Sequence, residues 1–510
     1  MQAKNTAIKL KGITKVFGTV RANDDIDFDV KYGEILALLG ENGSGKTTLM
    51  NMLSGIYQPD SGEIYKDESL ISINSPKDSF AHGIGMIHQH FKLVDVLTAA
   101  ENVAMGTKSK KLERKSALSA RIKEISRRFG LEIDPDKKVY DMSVSEKQTV
   151  EIIKVLYRGA RILILDEPTA VLTPQEIDKL FIILRKMRDE GCAIIIITHK
   201  LNEVMAISDR VTILRKGKSV GTVNTNETSA RELTELMVGK AVELSIDRPE
   251  TEKEKNLLNV FRLFVAGADG RNAVKDMSFD LSGGEVLGVA GIAGSGQKEL
   301  CEAIAGLADV TGGTILFKNE SIVGKTPAEI IKAGISMSFI PEDRLGMGLV
   351  ASMDITHNML LKSYKDGKPV VLNRKPAKEL ALSLIDRLEI STPGVTTPVR
   401  QLSGGNVQKV LLGREIESKP SLLITAYPVR GLDINSSYTI YDLINEQKKK
   451  GVAVLFIGED LDVLLELCDR IMVICHGEVM GIVNAGETTK EELGLMMAGE
   501  RRMEAEGKNG

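Results

Sequence analysis

The first residues that could do chemistry lie in a glycine-rich segment. Residues 40–49 read GENGSGKTTL and contain the complete pattern G-x-x-x-x-G-K-T. The backbone N–H groups of such a loop wrap around a polyphosphate, and the start of the following helix adds a favourable dipole. In this pattern Lys46 reaches the β- and γ-phosphates, and Thr47 holds Mg²⁺. The candidate phosphate-binding residues are Gly40, Glu41, Asn42, Gly43, Ser44, Gly45, Lys46, Thr47 and Thr48.

The residues on either side of this loop match the placement that it needs. Residues 34–39, EILALL, form a strand-like apolar run, and residues 46–55, KTTLMNMLSG, read as a helix. A phosphate-binding loop joins a strand to a helix in this order. The alternative is a chance glycine-rich turn, which this context disfavours.

A second apolar run ends in two carboxylates. Residues 161–169 read RILILDEPT, so Asp166 and Glu167 follow a buried-strand pattern. The order suits one carboxylate that organises Mg²⁺ and a second that positions or deprotonates an attacking water. Gln89 follows the strand-like run GIGMIH, and His199 ends the run CAIIIITH. Taken singly, a polar residue at a strand end is more often structural than catalytic.

Together, and with MSVSEKQ at 142–148 just before the Asp-Glu strand, these segments resemble an ATP-binding cassette (ABC) ATPase. The resemblance supplies the names P-loop, Q-loop, signature, Walker B and switch histidine, in chain order. It implies ATP and Mg²⁺ as cofactors and an adenine ring stacked on Phe17. It implies catalytic roles for Lys46, Gln89, Glu167 and His199. It implies that Mg²⁺ is bound with ATP by Thr47, Asp166 and Gln89.

The same motifs occur a second time in altered form. Residues 291–300 read GIAGSGQKEL, with a glutamine in place of the P-loop lysine and a lysine in place of the hydroxyl residue. The catalytic aspartate, glutamate and histidine are replaced by alanine, tyrosine and glutamate. Nearly constant offsets in numbering relate the two sets, so we predict two homologous lobes. The degenerate positions are Gly291, Gly294, Ser295, Gly296, Gln297, Lys298, Ala426, Tyr427 and Glu459, with Ser145 of the first signature.

The two signatures are altered in the opposite sense. The second, LSGGNVQ at 402–408, is intact, whereas the first has Ser145 in place of a family glycine. In the ABC family each ATP lies between the P-loop of one lobe and the signature of the other. The resemblance therefore implies one complete site, in which the first P-loop is joined by Ser403, Gly404 and Gly405, and one degenerate site. Independent drift is the alternative, and it would scatter the losses between both sites.

Length and composition limit the remaining classes. A chain of 510 residues exceeds one core and suits two domains. The net charge of −3, the absence of tryptophan and the 4% aromatic content disfavour a nucleic-acid partner. The four cysteines lack metal-ligand spacing and read as buried free thiols. No signal peptide is seen, and no apolar run approaches the ~20 residues that span a bilayer.

We therefore expect an α/β fold of two tandem P-loop NTPase (ABC ATPase) domains. The resemblance implies that each has a mainly parallel sheet core, an antiparallel β subdomain and a helical subdomain. The domains are placed at 1–240 and 257–500, with a polar linker at 241–256 and a mobile tail at 501–510. Each domain ends alike, TSARELTELMVGK in the first and TTKEELGLMMAG in the second, which supports a duplication.

The resemblance narrows to one group of ABC proteins. The segments IPEDRLGMGL at 340–349 and RGLD at 430–433 look like those of ATP-binding subunits of bacterial ribose, galactose and xylose importers. HQHFKLVDVLTAAENV at 88–103 and DEPTAVLTPQE at 166–176 look more like the nucleoside-importing branch. The function implied is that of an energy-coupling ATPase for nucleoside import, or alternatively for import of simple sugars, at the cytoplasmic face of the membrane.

The same resemblance implies partners. One copy of the chain would serve two integral membrane permease subunits, and an extracytoplasmic substrate-binding protein would act indirectly. Gln89 with residues 91–93 would contact one permease, and residues 342–344 the other. A remote alternative is a twin-cassette ATPase acting on ribosomes or DNA. The ribosomal type usually has two catalytic glutamates and a long charged linker, and the DNA-repair type has zinc-binding cysteine modules; this sequence has neither.

Overall fold

The structure is a computed structural model of the chain and describes most of it. The described residues are 5–18, 20–88, 91–105, 115–170, 172–198, 200–239, 245–251, 255–267, 270–292, 294–339, 348–364, 372–430, 432 and 434–502. The chain divides into two compact units, Met1–Glu243 and Leu244–Gly510, which we call lobe one and lobe two. No described helix is both long and apolar enough to cross a membrane. All four cysteines are buried and free, as predicted.

The described residues of lobe one form both strands and helices. Its strands are β1 (Thr6–Phe17), β2 (Val20–Lys31), β3 (Glu34–Leu39), β4 (Ser61–Lys66), β5 (Ser69–Ile71), β6 (Ile84–Ile87), β7 (Ile162–Asp166), β8 (Ala193–Ile197), β9 (Arg210–Arg215) and β10 (Lys218–Asn224). Its helices are α1 (Lys46–Leu53), α2 (Pro76–Ala81), α3 (Ala99–Ala104), α4 (Lys115–Phe129), α5 (Val144–Tyr157), α6 (Pro174–Asp189), α7 (Leu201–Ile207) and α8 (Ala230–Val238).

Two sheets form the framework of lobe one. The larger has the order β10-β9-β3-β8-β7-β6, and its strands run parallel except for β10. Its central strands are continuous apolar runs, as expected of parallel strands covered on both faces. The smaller sheet, β2-β1-β4-β5, is antiparallel. Because β3, β6, β7 and β8 are parallel, their carboxyl ends lie at one edge, where open α/β sheets bind ligands.

The helical part of lobe one lies between β6 and β7 in the sequence. Helices α3, α4 and α5 share a buried cluster that includes Val103, Ile122 and Val150. A second cluster joins the antiparallel sheet to α1 and the other face of the parallel sheet, through residues such as Ile8, Leu38 and Leu49. Lobe one therefore has a parallel core, an antiparallel β part and a helical part.

Lobe two repeats this arrangement. Its strands are β11 (Asn256–Ala266), β12 (Asn272–Ser282), β13 (Val286–Ala290), β14 (Val310–Phe317), β15 (Glu320–Ser321), β16 (Ile335–Phe339), β17 (Leu422–Ala426), β18 (Ala453–Ile457), β19 (Arg470–Cys475) and β20 (Glu478–Asn484). Its helices are α9 (Gln297–Ile304), α10 (Pro327–Ala333), α11 (Ile355–Ser363), α12 (Lys375–Arg387), α13 (Gly404–Glu417), α14 (Ile434–Lys449), α15 (Leu461–Leu467) and α16 (Lys490–Met497).

The strand order of lobe two is the same as that of lobe one. Its larger sheet has the order β16-β17-β18-β13-β19-β20, with only β20 antiparallel, and its smaller sheet has the order β12-β11-β14-β15. Each strand occupies the place of its counterpart in the first lobe. The predicted α/β fold of two duplicated P-loop domains is confirmed.

Residues 245–251, in the predicted linker, lie against lobe two. The Asn445 side-chain amide donates to the Asp247 carbonyl at 3.0 Å, and the Thr251 hydroxyl donates to the Gly284 carbonyl at 2.6 Å. Ile246 packs against the core of the same lobe. Linker residues 241–244 and 252–254, and tail residues 503–510, lie outside the described residues.

Candidate functional site

The P-loop of lobe one runs from the carboxyl end of β3 to the start of α1. Gly45 immediately precedes the helix with φ of 99°, a left-handed conformation that favours glycine. A Cβ atom there would lie 2.3 Å from the Ala22 carbonyl oxygen of β2. The loop backbone therefore packs closely against β2. Helix α1 begins at Lys46, and its first N–H groups have no partner within the helix.

Lys46 is buried within the curve of this loop, with only 6% of its surface exposed. Its ammonium donates to the carbonyl oxygens of Gly40, at 2.6 Å, and Glu41, at 3.0 Å. Burial lowers the pKa of Lys46, and the charges of Glu167 and Asp166 oppose that shift. The loop thus encloses one cation, held by carbonyl groups that a phosphate could replace. The Thr47 side chain is exposed beside it.

Asp166 and Glu167 lie at the end of β7, within electrostatic reach of Lys46. Burial and, to a smaller extent, the neighbouring Glu167 charge raise the pKa of Asp166 to about 6, although the Lys46 charge opposes the shift. Glu167 has φ of 48°, which is unusual for a residue other than glycine, and its N–H donates to the Ile197 carbonyl at 2.9 Å. Backbone strain of this kind concentrates at functional sites. The structure therefore brings together three of the predicted residues.

Phe17 ends β1 and remains 42% exposed. Its ring meets the Tyr57 ring edge-on at 5.2 Å, and the Lys15 ammonium lies 5.6 Å from the ring centre. Lys15 is itself fixed by an ion pair with Asp60 at 2.8 Å. An exposed aromatic ring with a supported edge offers a flat face to a planar ligand. Tyr57 could not be found from the sequence, because no motif marks it.

Two predicted catalytic residues, Gln89 and His199, lie outside the described residues, as do residues 342–344 and Asp433. The strands that precede Gln89 and His199, β6 and β8, are described and end at the same edge as β3 and β7.

The described part of the lobe-two P-loop enters its helix with the same backbone conformation as in lobe one, but without the cation. Gly296 has φ of 102°, and its Cβ would lie 2.7 Å from the Ala273 carbonyl oxygen. Gln297 is buried, and its amide donates to the Ile292 carbonyl at 3.1 Å, at the position of Glu41. Lys298 is exposed, with its ammonium 3.7 Å from the Glu302 carboxylate one helical turn away. The amide thus copies one hydrogen bond of Lys46 but not its charge. The loop glycines Gly291 and Gly294 and the buried Ser295 complete this second loop.

The end of β17 in lobe two carries a different cluster. Ala426 is fully buried, and Tyr427 repeats the unusual backbone of Glu167, with φ of 54° and an N–H donated to the Ile457 carbonyl at 2.8 Å. The Arg430 guanidinium lies 5.8 Å from the Tyr427 ring centre and 3.4 Å from the Glu459 carboxylate. Burial, and then the Glu459 charge, raise the pKa of Tyr427 to about 12. The RGLD motif contains Arg430 but does not indicate its contact with Tyr427.

The intact signature begins helix α13 with no side chain on its first two residues. Ser403 precedes the helix, and its hydroxyl accepts from the Asn406 side-chain amide at 2.8 Å and from the Asn406 N–H at 3.5 Å. Gly404 and Gly405 follow, so the first two residues of α13 present backbone atoms alone and no charged side chain lies in its first turn. Such an end is suited to an anion.

The altered signature begins helix α5 with a capping box. Ser143 accepts from the Glu146 N–H at 3.2 Å, and the Glu146 carboxylate accepts from the Ser143 N–H at 2.8 Å. Lys137 pairs with the same carboxylate at 2.7 Å. Burial acts to raise the pKa of Glu146, but the bonds from Lys137 and Ser143 outweigh it and lower the pKa. Val144, Ser145 and the anionic Glu146 therefore occupy the first turn. Val144 and Glu146 were missed, although MSVSEKQ shows them.

Comparison with known proteins identifies the family. Residues 23–170 and 274–428 both match the family model described as ABC transporter. The chain belongs to the ABC transporter family, and it is an ATP-binding protein whose ATPase activity is coupled to transport. The predicted family is confirmed, with one cassette in each lobe.

Individual relatives match along nearly the whole chain. The guanosine import ATP-binding protein NupO of Bacillus subtilis is 45% identical, over 99% of each chain. The nucleoside import ATP-binding protein NupA of Lactococcus lactis is 42% identical, over 98% of this chain and 99% of that one. The ribose import ATP-binding protein RbsA 1 of Streptomyces avermitilis is 38% identical, over 97% and 94%.

A solved structure also matches most of the length of the chain. The complex of archaeal ribosomal stalk protein aP1 and archaeal ribosome recycling factor aABCE1 matches 93% of this chain and 90% of that chain, with a TM-score of 0.60 and 16% sequence identity. At this level of identity the likeness shows the fold alone.

Proposed function

We propose that the chain is the energy-coupling ATPase subunit of an importer for nucleosides. The observation that carries the proposal is full-length similarity to two nucleoside or guanosine import proteins, at 42% and 45% identity. Import of a simple sugar is the second candidate, supported by the ribose import relative at 38% identity. The choice between nucleoside and sugar is not made by residues of this chain, because an ATPase subunit need not contact the transported substrate.

The geometry of lobe one fits ATP. Residues 40–48 would hold the phosphates, since the closely packed loop and the start of α1 direct backbone N–H groups outward. Lys46 would exchange its two carbonyl partners for phosphate oxygens. Phe17, supported by Tyr57, would offer its exposed face to the adenine.

The donors around the P-loop also fit Mg²⁺. Among the described residues, no three His, Cys, Asp or Glu side chains gather into a metal site made by protein alone. Mg²⁺ in nucleotide sites needs only one or two protein oxygens beside the phosphates, and Thr47 and Asp166 would supply them, with Gln89. Mg²⁺ bound there would offset charge on the phosphates.

The residues of lobe one divide the catalytic work. Glu167, on its unusual backbone at the end of β7, would orient the attacking water. Lys46 would stabilise negative charge on the γ-phosphate, because its ammonium is already desolvated. His199 would contact the γ-phosphate from the end of β8, and Ser403, Gly404 and Gly405 of lobe two would complete the site.

The second composite site would not hydrolyse ATP. In lobe two Gln297 carries no charge, Lys298 lies on the outer side of α9 with Glu302, and Ala426 cannot bind a metal. Tyr427 is engaged with Arg430, which pairs with Glu459. The anionic Glu146 at the altered signature would repel a γ-phosphate.

The proposal includes partners and location. One copy would serve two integral membrane permeases at the cytoplasmic face of the membrane, with an extracytoplasmic substrate-binding protein acting indirectly. Co-purification with integral membrane proteins tests this, and co-sedimentation with ribosomes instead would contradict it. No nucleic-acid partner is proposed.

The cargo is tested on the cognate binding protein. A thermal-shift screen against nucleosides and simple sugars identifies the ligand that raises the melting temperature, because a ligand that binds the folded state stabilises it by mass action. Stabilisation by nucleosides is expected. Stabilisation by sugars alone would replace the nucleoside assignment with the second candidate.

A further inference from the structure

An ion pair on helix α5 is hydrogen-bonded to both the N–H and the carbonyl of Lys92, which lies three residues after Gln89. The Lys92 N–H donates to the Glu151 carboxylate at 2.7 Å, and the Lys154 ammonium donates to the Lys92 carbonyl at 3.0 Å. Glu151 and Lys154 lie 2.7 Å apart, with only 4% and 13% of their side chains exposed. We call Glu151 and Lys154 the α5 pair.

The next two residues are also fixed. Leu93 packs against the buried cluster of the helical part. The Val94 N–H donates to the Asn102 side-chain oxygen at 2.8 Å, and the Asn102 amide donates back to the Val94 carbonyl at 3.1 Å. The Val94 side chain itself is exposed, as is that of Val96. The segment thus exposes apolar side chains to solvent, while its backbone is hydrogen-bonded to the rest of the lobe.

Lobe two has the same arrangement built from different residues. The Arg414 guanidinium, on helix α13, donates to the Gly348 carbonyl at 2.7 Å. Leu349 is buried, and Val350 exchanges two hydrogen bonds with Asn358 at 2.8 and 3.1 Å.

The counter-ion differs between the lobes. Arg414 pairs with the fully buried Glu415 at 2.7 Å, whereas the position of Glu151 is taken by Leu411. The Leu411 side chain fills the space beside Gly348, since a Cβ atom added at position 348 would lie 2.9 Å from it. The cation on the signature helix is therefore kept in both lobes while its acidic partner has moved, which argues against a packing accident.

We propose that the α5 pair is a positioning device that makes residues 92–94 and helix α5 move as one body, so that displacement of this segment by a permease is transmitted to the signature end of the helix. The inference rests on the proposed importer function. Helix α5 begins at the signature, and the α5 pair lies about two turns further on. Charge-assisted bonds to both backbone groups of one residue resist separation more strongly than neutral ones.

The first experiment measures amide hydrogen exchange in the full chain. Lys154→Met and Glu151→Gln should each raise exchange in residues 92–94 about tenfold, since each weakens a charge-assisted bond. Lys154→Arg, which copies lobe two, should keep it slow. Arg414→Met is the matched control, and it should affect residues 348–350 alone. If Lys154→Met does not fold, Glu151→Gln decides, and unchanged exchange would overturn the proposal.

The second experiment measures ATPase activity of the complex with its permeases, with and without substrate-loaded binding protein. Lys154→Met should reduce the stimulation about fivefold while basal activity stays near wild type, and Lys154→Arg should restore it. Faster exchange with unchanged stimulation would show that the pair is only structural, and would refute the inference. A wild-type complex without any stimulation would instead refute the importer function itself, whatever the variants do.

Discussion

Replacing Lys46 with glutamine tests which lobe is catalytic, because lobe two already has a glutamine, Gln297, at the equivalent position of its P-loop. In lobe two the buried amide keeps a hydrogen bond to a loop carbonyl at 3.1 Å, in place of the 3.0 Å bond from Lys46 to Glu41. Lys46→Gln should therefore keep the loop folded. The bond to Gly40 would be lost, but an ammonium whose pKa burial lowers is also removed. These effects act in opposite directions on stability, and the lost hydrogen bond is itself worth only about 1 kcal/mol.

The effect on hydrolysis should be much larger. A unit charge about 4 Å from a phosphate oxygen contributes about 4 kcal/mol at an effective dielectric constant of 20. Loss of about 4 kcal/mol of transition-state stabilisation corresponds to about a 10³-fold fall in ATPase rate. The expected result is an almost unchanged melting temperature in the absence of nucleotide, together with a fall in kcat/KM for ATP of about three orders of magnitude.

Gln297→Lys is the matched control. It should place an ammonium in the second loop, yet add no detectable activity, because Ala426 and Tyr427 still supply neither metal ligand nor base. Thermal unfolding and steady-state ATPase of both variants, in the complex with the permeases, make the comparison. Near-wild-type hydrolysis by Lys46→Gln would show that the cation acting on the γ-phosphate lies elsewhere. A large loss of thermal stability would show that Lys46 is mainly structural.

Three further predictions concern the composite sites. Glu167→Gln should lower ATP turnover about 10²-fold or more while leaving ATP binding intact, and turnover near wild type would move the catalytic site to the other lobe. Tyr427→Glu in the Glu167→Gln background should not restore hydrolysis, because groups that act together are not additive; substantial recovery would contradict this. Gly405→Asp should nearly eliminate hydrolysis through like-charge repulsion, whereas Ser145→Asp should lower it only several-fold. If Ser145→Asp is the more damaging at saturating ATP, the crossed pairing is wrong.

The fold could be predicted from the sequence because its motifs sit at fixed places in a repeated pattern. EILALL before the P-loop and RILILDEPT each predict a buried parallel strand, and the structure has β3 and β7 there. The order of the motifs then determines which strand ends meet at one edge. The family resemblance assigned Lys46, Asp166 and Glu167 to one site, and the structure brings them within electrostatic reach of one another.

Contacts between distant, non-motif residues could not be predicted in the same way. Tyr57 meets Phe17, and Lys154 reaches the carbonyl of Lys92, through packing that no local pattern encodes. Arg430 stood in the sequence as part of RGLD, but its position over the Tyr427 ring depends on the three-dimensional course of the chain. Sequence patterns specify elements and their order, whereas these contacts depend on side-chain directions within the folded lobe.

The two signatures show why one lobe could lose its anion site without losing its helix. A helix start leaves N–H groups unpaired, and either a capping side chain or a bound anion can satisfy them. Ser143 and Glu146 supply the cap in lobe one, a feature whose serine alone is worth about 1 kcal/mol. In lobe two Ser403 supplies the same serine cap, but the neutral Asn406 stands in place of the carboxylate, and Gly404 and Gly405 bring no side chain to the turn. A helix start stabilised by its own carboxylate gains nothing from a phosphate and repels it, so local stability and nucleotide contact are competing uses of one turn. The carboxylate in lobe one favours the first use, and the neutral, glycine-containing turn in lobe two favours the second, as expected if only one of the two sites hydrolyses ATP.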